Sequence, residues 1–286
     1  MDFIQPTTWE EALAAKAAEP RSVPIAGGTD VMVDLNFDRT RPEAILDLAR
    51  VPELHDWGAE NGSVRLGAGV SYARVIAELG DSLPGLAMAS RTVGSPQIRN
   101  RGTVGGNLGS ASPAGDAHPP LLAARAEVEL ESVRGTRRVA VREFFVAPKQ
   151  SVLADDELIA AVHIRRPGGA EQFSKIGTRN AMVIAACSFA LSVDPVARRV
   201  GTGIGSAGPT PLVAQEAEAF LEGVLDETGG WQSGRPLEDS VLERFGELVG
   251  SAARPIDDVR STAAYRVHAL GVLARRTLAW ARGQES

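Results

Sequence analysis

From Gly102 to Asp116 the chain is built almost wholly of small, uncharged residues: Gly102-Thr103-Val104-Gly105-Gly106-Asn107-Leu108-Gly109-Ser110-Ala111-Ser112-Pro113-Ala114-Gly115-Asp116. An ordered glycine costs about 0.5–1 kcal/mol of backbone entropy, so this density predicts a loop whose backbone comes close to something. A second such turn, Ala26-Gly27-Gly28-Thr29-Asp30, ends the strand-like run Val23 to Ala26. Successive backbone N–H groups in turns of this kind form concave anion sites, and the missing side chains admit a pyrophosphate. Thr29, Thr103 and Asn107 add hydroxyl or amide groups suited to phosphate and sugar oxygens, while Asp116 is placed to accept from sugar or polyol hydroxyls. A dinucleotide satisfies all of this. Alone, each turn is more often merely a tight turn, and composition does not choose among phosphorylated ligands.

Around these turns helix and strand signals alternate. Thr8-Trp9-Glu10-Glu11 is a capping-box pattern ahead of an alanine-rich helix to Ala18. Ala44 to Leu48 and Val64 to Ala68 read as short strands, Ser71 caps a helix to Leu79, and Val128 to Glu131 with Arg138 to Val141 form a hairpin. From Gln172 three strands follow in meander spacing: Gln172 to Gly177, Val183 to Val193 and Val200 to Gly205. Helices are then expected over Pro211 to Glu222, Leu237 to Val249 and Ser261 to Arg282, with residues 223–236 (Ser233 and Gly234 among them) as a loop. Sheet followed by helices implies a separate α+β domain.

The 286 residues carry 30 Lys and Arg against 36 Asp and Glu, a net charge of −6. That argues against a general nucleic-acid or anionic-membrane binder, which needs clustered positive charge. The single cysteine, Cys187, excludes an intrachain disulfide, a Cys-ligated iron–sulfur cluster and a Cys-rich zinc site. It is expected to be a small core residue in mid-strand. Met1 to Pro6 has neither the basic nor the apolar region of a signal peptide, and the apolar stretch 180–193 is too short to span a bilayer. A cytoplasmic location is therefore expected. Lysine occurs only at Lys16, Lys149 and Lys175, a bias toward arginine that suggests a GC-rich bacterial genome.

Other motifs carry less. Gly203-Ile204-Gly205-Ser206-Ala207-Gly208 matches the dinucleotide string G-x-G-x-x-G, but Pro209 and Pro211 stand where helical N–H groups are needed. His55, His118, His163 and His268 lack metal-like spacing, no serine-hydrolase elbow is present, and no side chain is a convincing acid–base catalyst. Neither a metal site nor a catalytic residue is predicted. Asp155-Asp156-Glu157 reads as a turn before a strand.

The order of blocks narrows the reading. Ala26 to Asp30, then Thr103 to Asn107 running to Asp116, then Asp156-Glu157-Leu158-Ile159, Phe173 to Arg179 and Ser261 to Arg266, resembles the FAD-binding subunit of the molybdenum hydroxylases. That family includes bacterial xanthine dehydrogenases, carbon monoxide dehydrogenase and N-heterocycle dehydrogenases, and the resemblance covers nearly the whole chain. It implies an α+β architecture: a vanillyl-alcohol-oxidase-like (PCMH-type) FAD fold in two parts, residues 1–60 and 61–168, then a small C-terminal α+β domain over 169–286. It further implies an oxidoreductase subunit without catalytic side chains of its own. Electrons would come from [2Fe–2S] clusters on a small subunit beside a large molybdopterin subunit and pass to NAD, a quinone or another acceptor. A dimer of heterotrimers is expected by analogy.

Carried over by position, Ala26, Gly27, Gly28, Thr29, Asp30, Val31, Met32 and Val33 would hold the pyrophosphate. Thr103, Gly105, Gly106 and Asn107 would form the second loop, and Asp116 would bind a polyol or ribose hydroxyl. Leu158 would pack near the isoalloxazine, and Lys175 would be a cation close to the flavin. The competing readings are a self-contained FAD-dependent oxidase or reductase, and a scaffold that binds no flavin.

Overall fold

Thr8 ends its extended backbone by accepting a hydrogen bond at Oγ1 from the Glu11 N–H (3.2 Å), which starts the helix Trp9–Ala18. The helix lies against a three-stranded parallel sheet of Asp2–Ile4, Ala44–Asp47 and Val23–Ile25, with Ala44–Asp47 in the centre. The computed structural model describes residues 1–60, 62–232 and 235–284.

A five-stranded antiparallel sheet follows, in the order Trp57–Glu60, Ser63–Gly67, Leu158–Arg165, Glu127–Ser132 and Gly135–Ala140. Period-two alternation points Val64, Leu66, Val128, Leu130 and Val162 into a core that also takes Leu13 and Leu46 from the first layer. The two sheets thus share one hydrophobic centre. The hairpin Trp57–Glu60/Ser63–Gly67 pairs across the division expected at residues 60 and 61.

The third unit is the antiparallel meander Glu171–Ile176, Cys187–Asp194 and Arg199–Gly205, backed by the helices Gln215–Glu227, Asp239–Ala252 and Ala263–Ala281. Phe189, Leu191, Phe245 and Leu270 fill its separate core. A small apolar cluster, Ala89, Ala123, Phe173 and Ala190, packs the meander against the preceding helices. Cys187 opens its strand rather than sitting in mid-strand and is fully buried.

Several expectations are corrected. The glycine-rich run is not all loop: Val104–Ser110 is a short helix, capped by Thr103 Oγ1 accepting from Gly106 N–H (2.9 Å) and ended by Ala111 at φ 44°. A methyl group at Gly105 would overlap the Ala68 backbone, so the close approach demanded there is to the protein itself. The helix Gln215–Glu227 runs past Glu222 into the expected loop, because Leu221 and Leu225 continue its buried face. The loop's Ser233 and Gly234 lie outside the described residues. The glycines of the G-x-G-x-x-G string serve packing: methyl groups at Gly203 or Gly205 would collide with Pro119 and, at Gly205, Ser188.

Candidate cofactor site

The two glycine segments meet. A methyl group at Gly27 would overlap the Arg101 carbonyl, so the first turn touches the residues preceding the second segment backbone to backbone. Gly28 adopts φ 76°, a conformation that favours glycine, and carries the chain from strand Val23–Ile25 into the helix Val31–Asn36. Between the segments lies a cavity of about 380 Å³. Ala26, Gly27, Gly28, Thr29, Asp30 and Val31 form one wall; Thr103, Gly105, Gly106 and Asn107 form another. Leu48, Leu54, Val93, Ile98, Leu158 and Ile159 give it an apolar lining.

The walls differ in what they offer. Among the described residues the N–H groups of Gly27, Gly28, Thr29 and Asp30 donate to no protein acceptor, leaving a cradle of free donors. In the second segment, from Val104 to Asn107, the donors are already used. Val104 N–H donates to the Val70 carbonyl (3.4 Å), Gly105 N–H to the Ala68 carbonyl (3.1 Å) and Gly106 N–H to Thr103 Oγ1. That wall contributes room, at Gly106 and Gly109, and the buried Asn107 Oδ1, which has no partner.

Four of the sequence-derived residues stand off this lining. Met32 and Val33 lie on the exposed face of the helix Val31–Asn36. Asp116 and Lys175 pair with each other, Lys175 Nζ lying 2.6 Å from Asp116 Oδ2 and 3.2 Å from the Thr92 carbonyl. Burial raises the Asp116 pKa, opposed by the Lys175 charge and by hydrogen bonds from Lys175 and Thr92. Asp116 Oδ1 has no partner.

Sequence reasoning missed Tyr72, Gly109 and Ser110, which also line the cavity, and His118, which supports it. The His118 ring packs against Phe145 at a tilt of 49° (4.6 Å between centroids), with Nε2 3.1 Å from the Asn107 carbonyl. Burial drives its pKa down to about 4, so the ring is neutral and donates from Nε2 to that carbonyl. Its place at the opening of the helix His118–Ala123 carried no periodic signal, because its partner lies in another element.

Residues 1–167 match the family model of the FAD binding domain in molybdopterin dehydrogenase, and residues 172–281 match that of the CO dehydrogenase flavoprotein C-terminal domain. The chain belongs to the FAD-binding subunits of the molybdenum hydroxylase family. It is 33% identical to the nicotinate dehydrogenase FAD-subunit of Eubacterium barkeri, over 78% of this chain and 79% of that one. It is 30% identical to the nicotine 6-hydroxylase medium subunit of Paenarthrobacter nicotinovorans, over 96% and 95%. The structure superposes on reconstituted CO dehydrogenase from Oligotropha carboxidovorans with a TM-score of 0.89 at 26% identity, covering 100% of this chain and 98% of that one. For this family of oxidoreductase subunits the cavity is chemically suited to FAD: residues with free amide donors, which a pyrophosphate needs, form one wall, and apolar side chains line the rest. No helix among the described residues is long and apolar enough to cross a membrane.

Proposed function

We propose that this chain holds FAD between its two glycine segments and works as the electron-transfer subunit of a molybdenum hydroxylase. The free N–H groups of Gly27, Gly28, Thr29 and Asp30 carry the reading, since an anionic pyrophosphate is the partner that would satisfy them together. Bound FAD supplies the redox chemistry, accepting electrons and passing them on. The protein's part is to bind, orient and shield.

On this reading segment 1–60 gives the amide cradle and segment 61–168 gives the wall of Thr103, Gly105, Gly106, Asn107 and Leu158. Segment 169–286 braces that wall through Lys175. Val31, Met32 and Val33 continue the cradle into a helix. The Asp116–Lys175 pair reaches a bound flavin only through the wall, Asp116 receiving a polyol hydroxyl after a small rearrangement and Lys175 placing positive charge nearby. Electrons would enter from [2Fe–2S] clusters on a small partner subunit and leave to NAD, a quinone or another acceptor. A large molybdopterin subunit would oxidise the substrate, the whole working in the cytoplasm as a dimer of heterotrimers. One cysteine cannot ligate a cluster, which fits clusters held elsewhere. Relatives named as medium or FAD subunits support the same division.

The test is a visible absorption spectrum after incubation with FAD and desalting, on the chain alone and on protein co-expressed with its genomic neighbours. A retained flavin spectrum is expected, together with two co-purifying subunits. A colourless complex overturns the reading.

A further inference from the structure

A second cleft of about 190 Å³ lies where the five-stranded sheet meets the meander, and it shares no lining residue with the cofactor cavity. Its walls carry Arg125, Arg165, Arg166 and Arg199, with the carboxyl groups of Glu171 and Asp194. The chain as a whole is acidic, at a net charge of −6, so this gathering does not reflect a general surplus of arginine over carboxylate. Arg165 ends the strand Leu158–Arg165 and Arg199 opens the strand Arg199–Gly205. Neither guanidinium has a hydrogen-bond or ion-pair partner among the described residues.

Neither carboxylate forms an ion pair with Arg165 or Arg199 among the described residues, although Asp194 is the cross-strand partner of Arg199. Asp194 Oδ1 accepts from the Val196 and Ala197 N–H groups, both at 3.0 Å. Glu171 Oε2 accepts from Gly85 N–H at 3.0 Å and is buried. The remaining two arginines are held in place. Arg166 donates to Ser82 Oγ (3.2 Å), and Arg125 donates to the Val200 carbonyl (3.1 Å) and to Glu218 Oε2 (3.3 Å). Arg125 also sits at φ 51°, a left-handed backbone that a side chain other than glycine rarely adopts.

We propose that this cleft binds a phosphate-class oxyanion, either free or as the phosphoryl end of a small metabolite, gripped chiefly by Arg165 and Arg199. Guanidinium forks arriving from separate strands suit an anion with three or more oxygens. A carboxylate, with two oxygens and a single charge, would satisfy two forks less completely than a phosphate. The inference is independent of the flavin assignment.

Thermal unfolding of the full chain in increasing inorganic phosphate, and separately in glycerol phosphate, tests it at ionic strength held constant with chloride. A saturable rise in Tm is expected with at least one of them: tighter binding of the free ion points to phosphate itself, tighter binding of the monoester to a phosphorylated metabolite. The double variant R165A/R199A should bind about tenfold more weakly or worse, and R165K/R199K should fall between, having kept the charge and lost the fork. The far-UV circular dichroism and the phosphate-free Tm of both variants should match the parent, showing that they fold. A Tm response that does not saturate, or that survives in R165A/R199A, overturns the proposal. So does binding of an acidic peptide with no response to either phosphate.

Discussion

Lys175 reaches from the meander strand Glu171–Ile176 to place its ammonium 2.6 Å from the Asp116 carboxylate, which follows the glycine-rich helix of the preceding unit. The two side chains retain 8% and 10% of their exposure, so the pair is effectively inside the protein. It joins the parts of the chain matched by the two family models.

Lys175→Ala would leave Asp116 buried without its counter-ion. Stability should fall by about 3–5 kcal/mol, read as a lowered midpoint in urea. The double variant D116N/K175M, which removes both charges, should recover most of that loss. If the single variant unfolds like the parent, the pair has no structural weight.

Gly27 and Gly109 separate packing from binding. Gly27→Ala drives a methyl group into the Arg101 carbonyl and should cost about 1–3 kcal/mol or more by overpacking. At Gly109 a Cβ meets only Ile159, at 3.8 Å, yet the residue lines the cavity. Gly109→Val should therefore keep the Tm within a few degrees while FAD affinity, read by fluorescence titration, drops at least about tenfold. Unchanged affinity would remove Gly109 from the site.

Burial pushes the Glu171 carboxyl up to about 7 from an ordinary value near 4.5, against a single opposing hydrogen bond from Gly85. The unfolded chain then loses this proton at lower pH than the folded one, so this group's contribution falls as pH rises from about 4.5 through 7. The loss amounts to about 3 kcal/mol once complete. Glu171→Gln should be relatively more stable at pH 8 and should flatten that slope in urea titrations. A parallel pH profile in the variant would show the shift to be absent.

His118 acts in the opposite sense. Its pKa is depressed to about 4, so the unfolded chain gains the proton first as pH falls below about 6.5. Stability from the neutral ring is complete above 6.5 and is lost progressively down to pH 4. His118→Gln should unfold with a weaker dependence on pH between 4 and 6.5.

Cys187 is fully buried, and burial pushes its thiol up to about 12. It should resist a disulfide reagent in the native protein and react as one thiol in denaturant. Rapid native labelling would show that the start of the strand Cys187–Asp194 opens readily.

Local chemistry made much of this molecule legible from its residues in order. Thr8 and Ser71 cap helices because a hydroxyl satisfies an N–H three residues on, and the meander strands follow from apolar patterning that needs no distant partner. The two glycine segments and the family resemblance were likewise readable, since backbone freedom and block order are properties of the chain itself. Tertiary structure decided the rest. Whether a glycine is bare for a ligand or for a neighbouring backbone depends on what stands opposite: Ala68 for Gly105, Arg101 for Gly27, open cavity for Gly109. Which amides remain free to meet an anion, Gly27 to Asp30 in the first segment but not Val104 and Gly105 in the second, depends on whether the Val70 and Ala68 carbonyls lie within reach. That Lys175 answers Asp116, 59 residues away in sequence, rests on two units folding against each other, and no local pattern encodes that distance.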